Sequence, residues 1–225
     1  MIVKQKKNIL SEKAYYFLRD KIIHGEIKAN EMITEHNIAS YLGMSRTPVK
    51  KAITLLETEN YVKSIDGVGT FVIGISIQDL SDLYEVRKVI ESLALKTAIN
   101  NIKSQDIEIM MQKLDDILFK YDNNEIIESS YIADVDDEVH NLILNNSRNN
   151  YIKKLFNNIK SQIIRYQYEA YILTDTGKDS TIQHKEILEN IMNRNFELAK
   201  KSLENHINWS FNVLSQALSN NISID

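Results

Sequence analysis

The sequence predicts a mainly α-helical chain: an N-terminal winged helix-turn-helix, then an antiparallel all-helical bundle of about six helices. Three observations carry this expectation. A short helix with an apolar stripe and a basic outer face begins at Ser45, just after a Gly43 turn and another short helix. Two alternating segments joined by Asp66-Gly67-Val68-Gly69 follow it. From Gln78 onward proline is absent, glycine nearly so, and long 3.6-periodic segments take over.

Composition narrows the class. The 225 residues are 43% hydrophobic and 26% charged, a globular balance with room for one large or two small domains. With no cysteine, neither a disulfide framework nor a thiolate metal site is possible. Met1 to Asn8 is polar and basic, unlike a signal peptide. No run approaches the roughly 20 apolar residues that span a bilayer. A cytoplasmic protein with no membrane partner is expected. Residues 1–75 carry eleven Lys and Arg against eight Asp and Glu, a charge of +3, while the remainder carries −7. The basic part contains the opening helix, which fits phosphate attraction.

In chain order, residues 11–24 read as a helix with Ser11 as cap, a Tyr15, Leu18, Ile22 stripe and an end at Gly25. Residues 26–33 read as a connector anchored by Ile27, Met32 and Ile33. Thr34 can cap a short helix to Leu42, which Gly43 ends in the left-handed conformation. In the next helix Ser45 can be the N-cap and Pro48 falls in the tolerant first turn. Val49, Ala52, Ile53 and Leu56 form its buried stripe, leaving Arg46, Thr47, Lys50, Lys51 and Thr54 outward. An ordinary surface helix shares these features, but a core-facing back with a basic, hydroxyl-bearing front also suits the DNA major groove. Tyr61–Ile65 and Thr70–Ile75 read as a hairpin. The two turn glycines match a wing rather than a phosphate loop, because no helix follows them.

The remaining helices are expected near 78–100, 104–121, 124–145, 150–173, 179–193 and 196–219. The domain boundary falls near Ile75–Gln78, giving a DNA-binding domain over 1–76 and a helical domain over 77–225.

Several polar residues lie on stripes that should be buried. Asp136 and His140, at i and i+4, sit among Ile132, Val135, Val139 and Ile143. His184 is in line with Ile187, Leu188 and Ile191, and His206 with Ala199, Leu203 and Val213. Three of the five histidines are therefore placed inward, and burying them unpaired is costly. Each could be separately satisfied, but a shared divalent ion (Zn, Ni, Mn or Fe) compensates all four residues at once. On one straight helix His184 and His206 would stand about 33 Å apart, so the chain must reverse between them, and Asn193-Arg194-Asn195 is the expected turn. Arg87 also lies in an apolar stripe, with Leu80, Leu83, Tyr84, Ile90, Ala94 and Ala98. It can pair with Glu91 at i+4 or clamp an anion, and both readings stay open. Arg165 is a weaker anion candidate, with mostly polar helical neighbours.

Together these residues resemble a GntR-family transcriptional regulator of the FadR-like branch, with an FCD-type C-terminal domain. The resemblance rests on Ile23-His24-Gly25, the run Ile38 to Ile53, Leu56-Glu57 and Gly69-Thr70-Phe71-Val72. It continues through Glu85-Val86-Arg87 with Glu91, the Asp136 to His140 element, His184 and His206. It implies DNA reading by Ser45, Arg46, Thr47 and Lys50, with Gly69 in the wing. It also implies metal ligation by Asp136, His140, His184 and His206, and a small organic acid bound at the metal that alters DNA affinity. Lys50 stands where the family usually has arginine, and Val68 where the wing is usually basic. The expected partners are a palindromic double-stranded operator, a carboxylate effector held by Arg87 and Arg165, and a second copy of the chain. A direct metal-responsive regulator and a His3Asp metalloenzyme are the competing readings.

Overall fold

A computed structural model of the chain describes residues 2–23, 25–74 and 76–222, with the backbone alone at 2–8, 168–173 and 221–222. His24 of the expected helix end and Ile75 of the expected second strand lie outside these residues. The chain divides into two compact units, Met1–Ile75 and Ser76–Asp225.

The first unit contains α1 (Ile2–Ile23), β1 (Met32–Ile33), α2 (Glu35–Tyr41), α3 (Arg46–Thr58), β2 (Val62–Ile65) and β3 (Gly69–Val72). Helix α1 begins well before Ser11, so Ser11 is an interior residue and not the cap. Nothing from Ile2 to Leu10 is a helix breaker, and Lys, Gln and Leu propagate a helix readily. The stripe of α1 forms as expected, with Tyr15, Leu18 and Ile22 all buried. Thr34 caps α2: its hydroxyl accepts the Asn37 N–H at 3.3 Å. Gly43 turns the chain at φ 61°, a left-handed conformation that favours glycine. Ser45 occupies the N-cap position of α3 with extended backbone, but its hydroxyl makes no capping bond. On α3, Val49, Ala52, Ile53 and Leu56 are buried.

The sheet has the order β1-β3-β2, antiparallel throughout. The wing hairpin pairs Val62 with Val72 and Ile65 with Gly69, and the Val68 N–H closes its turn on the Ile65 carbonyl at 3.0 Å. Strand β1 falls in the segment read as a connector. Two residues carry no legible alternation, and Met32–Ile33 is a strand because β3 offers it an open edge.

The second unit is helical: α4 (Ile77–Ala98), α5 (Ser104–Asp122), α6 (Ser129–Asn146), α7 (Asn150–Leu173), α8 (Gly177–Met192) and α9 (Phe196–Ile222). The side chain of Ser76 caps α4 by accepting the Asp79 N–H at 2.9 Å. Helix α6 starts five residues later than expected. Asn124 takes a positive φ of 54° that ends α5, and Ile126 in the following segment is 96% exposed, so no apolar face starts there. Arg194 at φ 54° reverses the chain between α8 and α9, and the Asn195 carboxamide accepts the Leu198 N–H. The core of this unit includes Leu80, Leu95, Ile107, Leu114, Ile143, Ile187 and Leu203. On α9 the stripe is completed by Ile207 and Leu214, with Val213 only partly covered.

Candidate functional site

Two groups of residues stand out, one in each unit. In the first unit Ser45, Arg46, Thr47 and Lys50 are all exposed on α3, while Pro48 and Val49 behind them are buried. The hydrophobic back fixes the helix, and its front is left free for polar contacts. Arg46 is tied to α2: its Nε and Nη2 donate to Glu35 Oε2 at 3.2 and 3.0 Å. Glu35 was not singled out in the sequence, since the contact spans eleven residues and two helices. Gly69 sits at the base of the wing with φ 153°, and a Cβ there would stand 2.9 Å from Met32 Sδ. The positive φ favours glycine at that corner, and a larger residue would also displace the Met32 side chain.

In the second unit the sequence-predicted set converges. One ligand atom from each of Asp136, His140, His184 and His206 lies within 4.8 Å of the other three. All four are at most 4% exposed. Helix α6 supplies Asp136 and His140 one turn apart. The α8–α9 hairpin brings His184 and His206 level, with ring centroids 4.2 Å apart. His140 Nε2 stands 3.2 Å from His184 Nε2 and 3.7 Å from Asp136 Oδ1, and His184 Nε2 stands 3.5 Å from Asp136 Oδ2. Ligand atoms about 2.1 Å from one ion are separated by roughly 3 to 4 Å, which matches these spacings.

Burial holds His184 neutral, pushing its pKa down from 6.5 to about 4, and pushes His206 down as well, with the neighbouring imidazoles adding to that shift. Neutral imidazole is the form that ligates a metal. Both ring nitrogens of His206 lack a hydrogen-bond partner among the described residues, although the ring is fully buried. Two orphaned polar atoms at the centre of a helical core are the clearest sign that the cluster fits a cation.

The surroundings add residues that sequence reasoning did not select. The Gln167 amide donates to Asp136 Oδ1, and the Ser180 hydroxyl donates to Asp136 Oδ2 at 3.3 Å. Ser180 is one helical turn before His184, a spacing too common to be a signal alone.

Arg87 is fully buried and pairs with Glu91, its Nε donating to Oε1 at 2.7 Å. Its Nη1 and Nη2 have no hydrogen-bond partner among the described residues. The salt-bridge and anion-clamp readings are therefore compatible: Nε serves Glu91 and the terminal nitrogens remain available. The Tyr84 ring lies 5.3 Å from the guanidinium carbon. Arg165 is buried on α7, 5% exposed.

A winged helix with an exposed basic face, followed by a helical unit with a buried His3Asp set, is the architecture of a two-part DNA-binding regulator. Comparison with known proteins makes this specific. Residues 10–72 match the gntR family of bacterial regulatory proteins, and residues 82–208 match the FCD domain. The chain belongs to the gntR family and carries an FCD domain, so it is a transcriptional regulator and not a metalloenzyme.

A similar protein is YdhC, an HTH-type transcriptional regulator of Bacillus subtilis. It is 27% identical over 191 residues, 83% of each chain. Among solved structures, McbR/YncC of E. coli superposes with a TM-score of 0.75 at 17% identity, over 92% of this chain and 97% of that one. The Zn2+-bound FCD domain of TM0439 superposes with a TM-score of 0.51 at 22% identity, over 65% of this chain and 96% of that one.

Proposed function

We propose that the chain regulates transcription by binding a specific operator with α3, and that a small carboxylate bound at a divalent metal in the helical unit changes that affinity. The observation that carries this reading is the conjunction of four inward metal-type ligands with the buried Arg87, whose Nη1 and Nη2 face no described partner. The zinc in the similar FCD domain of TM0439 supports the choice of cation class. A divalent cation held by Asp136, His140, His184 and His206 would supply a Lewis-acidic centre for a carboxylate oxygen. Arg87 supplies a fixed positive charge in a dry site, where it interacts with an anion more strongly than it would in water. Arg165 is assigned the same supporting role.

For DNA, Arg46 takes the bidentate guanine contact, with Ser45 and Thr47 on phosphates or base edges and Lys50 as a point charge. Gly69 lets the wing backbone approach the duplex. Residues 1–76 thus act as the reading part and 77–225 as the sensing and dimerising part. Two copies would place their reading helices about 34 Å apart on a palindromic site. No helix among the described residues is long and apolar enough to cross a membrane, and the chain is assigned to the cytoplasm, where its DNA is.

The test uses an operator enriched from random duplexes by the wild-type chain. Arg46→Ala should weaken binding by about 1–3 kcal/mol, roughly 5- to 150-fold. Unchanged affinity would refute the assignment of the reading helix. If zinc alone shifts operator affinity and no carboxylate adds to it, the ion itself is the signal.

A further inference from the structure

We propose that Glu91 is a positioning residue that joins the anion-facing Arg87 to the metal-facing His140 through its two carboxylate oxygens. The inference rests on the metal reading above and assigns Glu91 more than the role of salt-bridge partner that its i+4 spacing suggests.

Glu91 is fully buried on α4, and both of its oxygens are used. Oε1 accepts from Arg87 Nε at 2.7 Å, and Oε2 accepts from His140 Nδ1, on α6, at 2.5 Å. A carboxylate can only accept in this state, so the His140 proton sits on Nδ1. The lone pair is then on Nε2, the atom facing His184 and Asp136. Glu91 thus selects the imidazole tautomer that ligates a cation and fixes the ring's direction.

The same carboxylate fixes Arg87. With Nε engaged, the guanidinium plane is set and Nη1 and Nη2 are the donors left over. An anion drawn to those two nitrogens and a cation held by His140 therefore act on one shared group. Displacing Arg87 disturbs the carboxylate that orients His140. Such a link makes anion and metal affinities reciprocal.

The full-length chain tests this with zinc as the probe, by competition against a chromophoric chelator, and with the visible spectrum of bound cobalt(II). Glu91→Gln should weaken zinc about ten- to hundredfold and change the cobalt spectrum, as loss of an outer partner of a ligand histidine does. Arg87→Met should weaken zinc less than Glu91→Gln does, because His140 keeps its carboxylate partner and loses only the group that fixes that partner's plane. A purely structural ion pair predicts the opposite pattern, with folded Glu91→Gln binding zinc as wild type does, and that result overturns the proposal. Should Glu91→Gln not fold, the double variant Arg87→Met/Glu91→Gln removes the stranded guanidinium. Weak zinc binding there supports the role and wild-type binding overturns it. One measurement needs no variant: two-bond 1H–15N spectra of the metal-free wild type must place the His140 proton on Nδ1, and a proton on Nε2 overturns the inference. A wild-type chain that binds no zinc removes the metal reading itself, whereas the outcomes above leave that reading intact.

Discussion

Replacing His206 by leucine should reverse its effect on stability depending on whether metal is present. In the metal-free protein the ring is fully buried and both nitrogens lack a hydrogen-bond partner among the described residues. Each unpaired buried polar atom costs about 1–3 kcal/mol. Leucine removes both atoms while filling most of the space, among neighbours such as Leu203 and Ile207. With chelator present, His206→Leu should therefore be more stable than wild type by about 1–3 kcal/mol, allowing for imperfect repacking. With zinc at a thousandfold its dissociation constant, wild type gains about 4.1 kcal/mol and the variant far less, so the order inverts. For a unit of this size each kcal/mol moves Tm by roughly 2–4 °C. Thermal unfolding with and without chelator measures both arms. Trp209, the sole tryptophan of the chain, has its ring 6.0 Å from His206 and reports the site by fluorescence. A variant less stable than wild type in chelator, or one stabilised by zinc as much as wild type, would refute the reasoning.

Three other outcomes follow from the geometry. Leu56→Ala, at a fully buried position of α3, should destabilise the winged unit by about 2–5 kcal/mol in denaturant unfolding. Glu35→Ala should leave stability within about 1 kcal/mol, because its pair with Arg46 is surface-exposed. It should also raise affinity for nonspecific duplex about threefold in anisotropy, since it frees a cation and removes an anion from the DNA face. The metal-free chain should lose stability as pH falls from 6.5 toward 4. His184 has a folded pKa of about 4, so over that window the unfolded chain binds the extra proton. Glu91, held down at about 2 by His140 and Arg87, extends the loss from pH 4.5 downward. Urea midpoints across pH 4–7 in chelator check the sign, and a midpoint that rises on acidification would contradict it.

Much of this architecture was legible because it rests on periodicity and turn chemistry. The α3 stripe, the Gly43 turn and the two-glycine wing are local signals, and each formed as read. Asp136 and His140 were visible as polar residues in phase with Ile132, Val139 and Ile143. His184 and His206 could be paired only by supposing a reversal at Asn193–Asn195. The misses have physical causes. The two-residue β1 exists only through its β3 edge, and α1 continues upstream because nothing there stops it. Glu91 was read as the i+4 partner of Arg87, but its reach to His140, like the roles of Gln167 and Ser180, depends on contacts 49, 31 and 44 residues away in sequence, for which one chain carries no periodic signature. Arg46 and Glu35 meet only once the helix-turn-helix closes.

The most direct test of the central claim is operator affinity of the zinc-loaded chain titrated with a panel of small mono-, di- and tricarboxylates, measured by fluorescence anisotropy in parallel on wild type and His184→Ala. The account predicts that at least one acid shifts wild-type affinity fivefold or more, on the scale of a coupling of about 1 kcal/mol, and that His184→Ala binds the operator but does not respond. A wild-type affinity unmoved by every acid, or a variant that responds as wild type does, would contradict it.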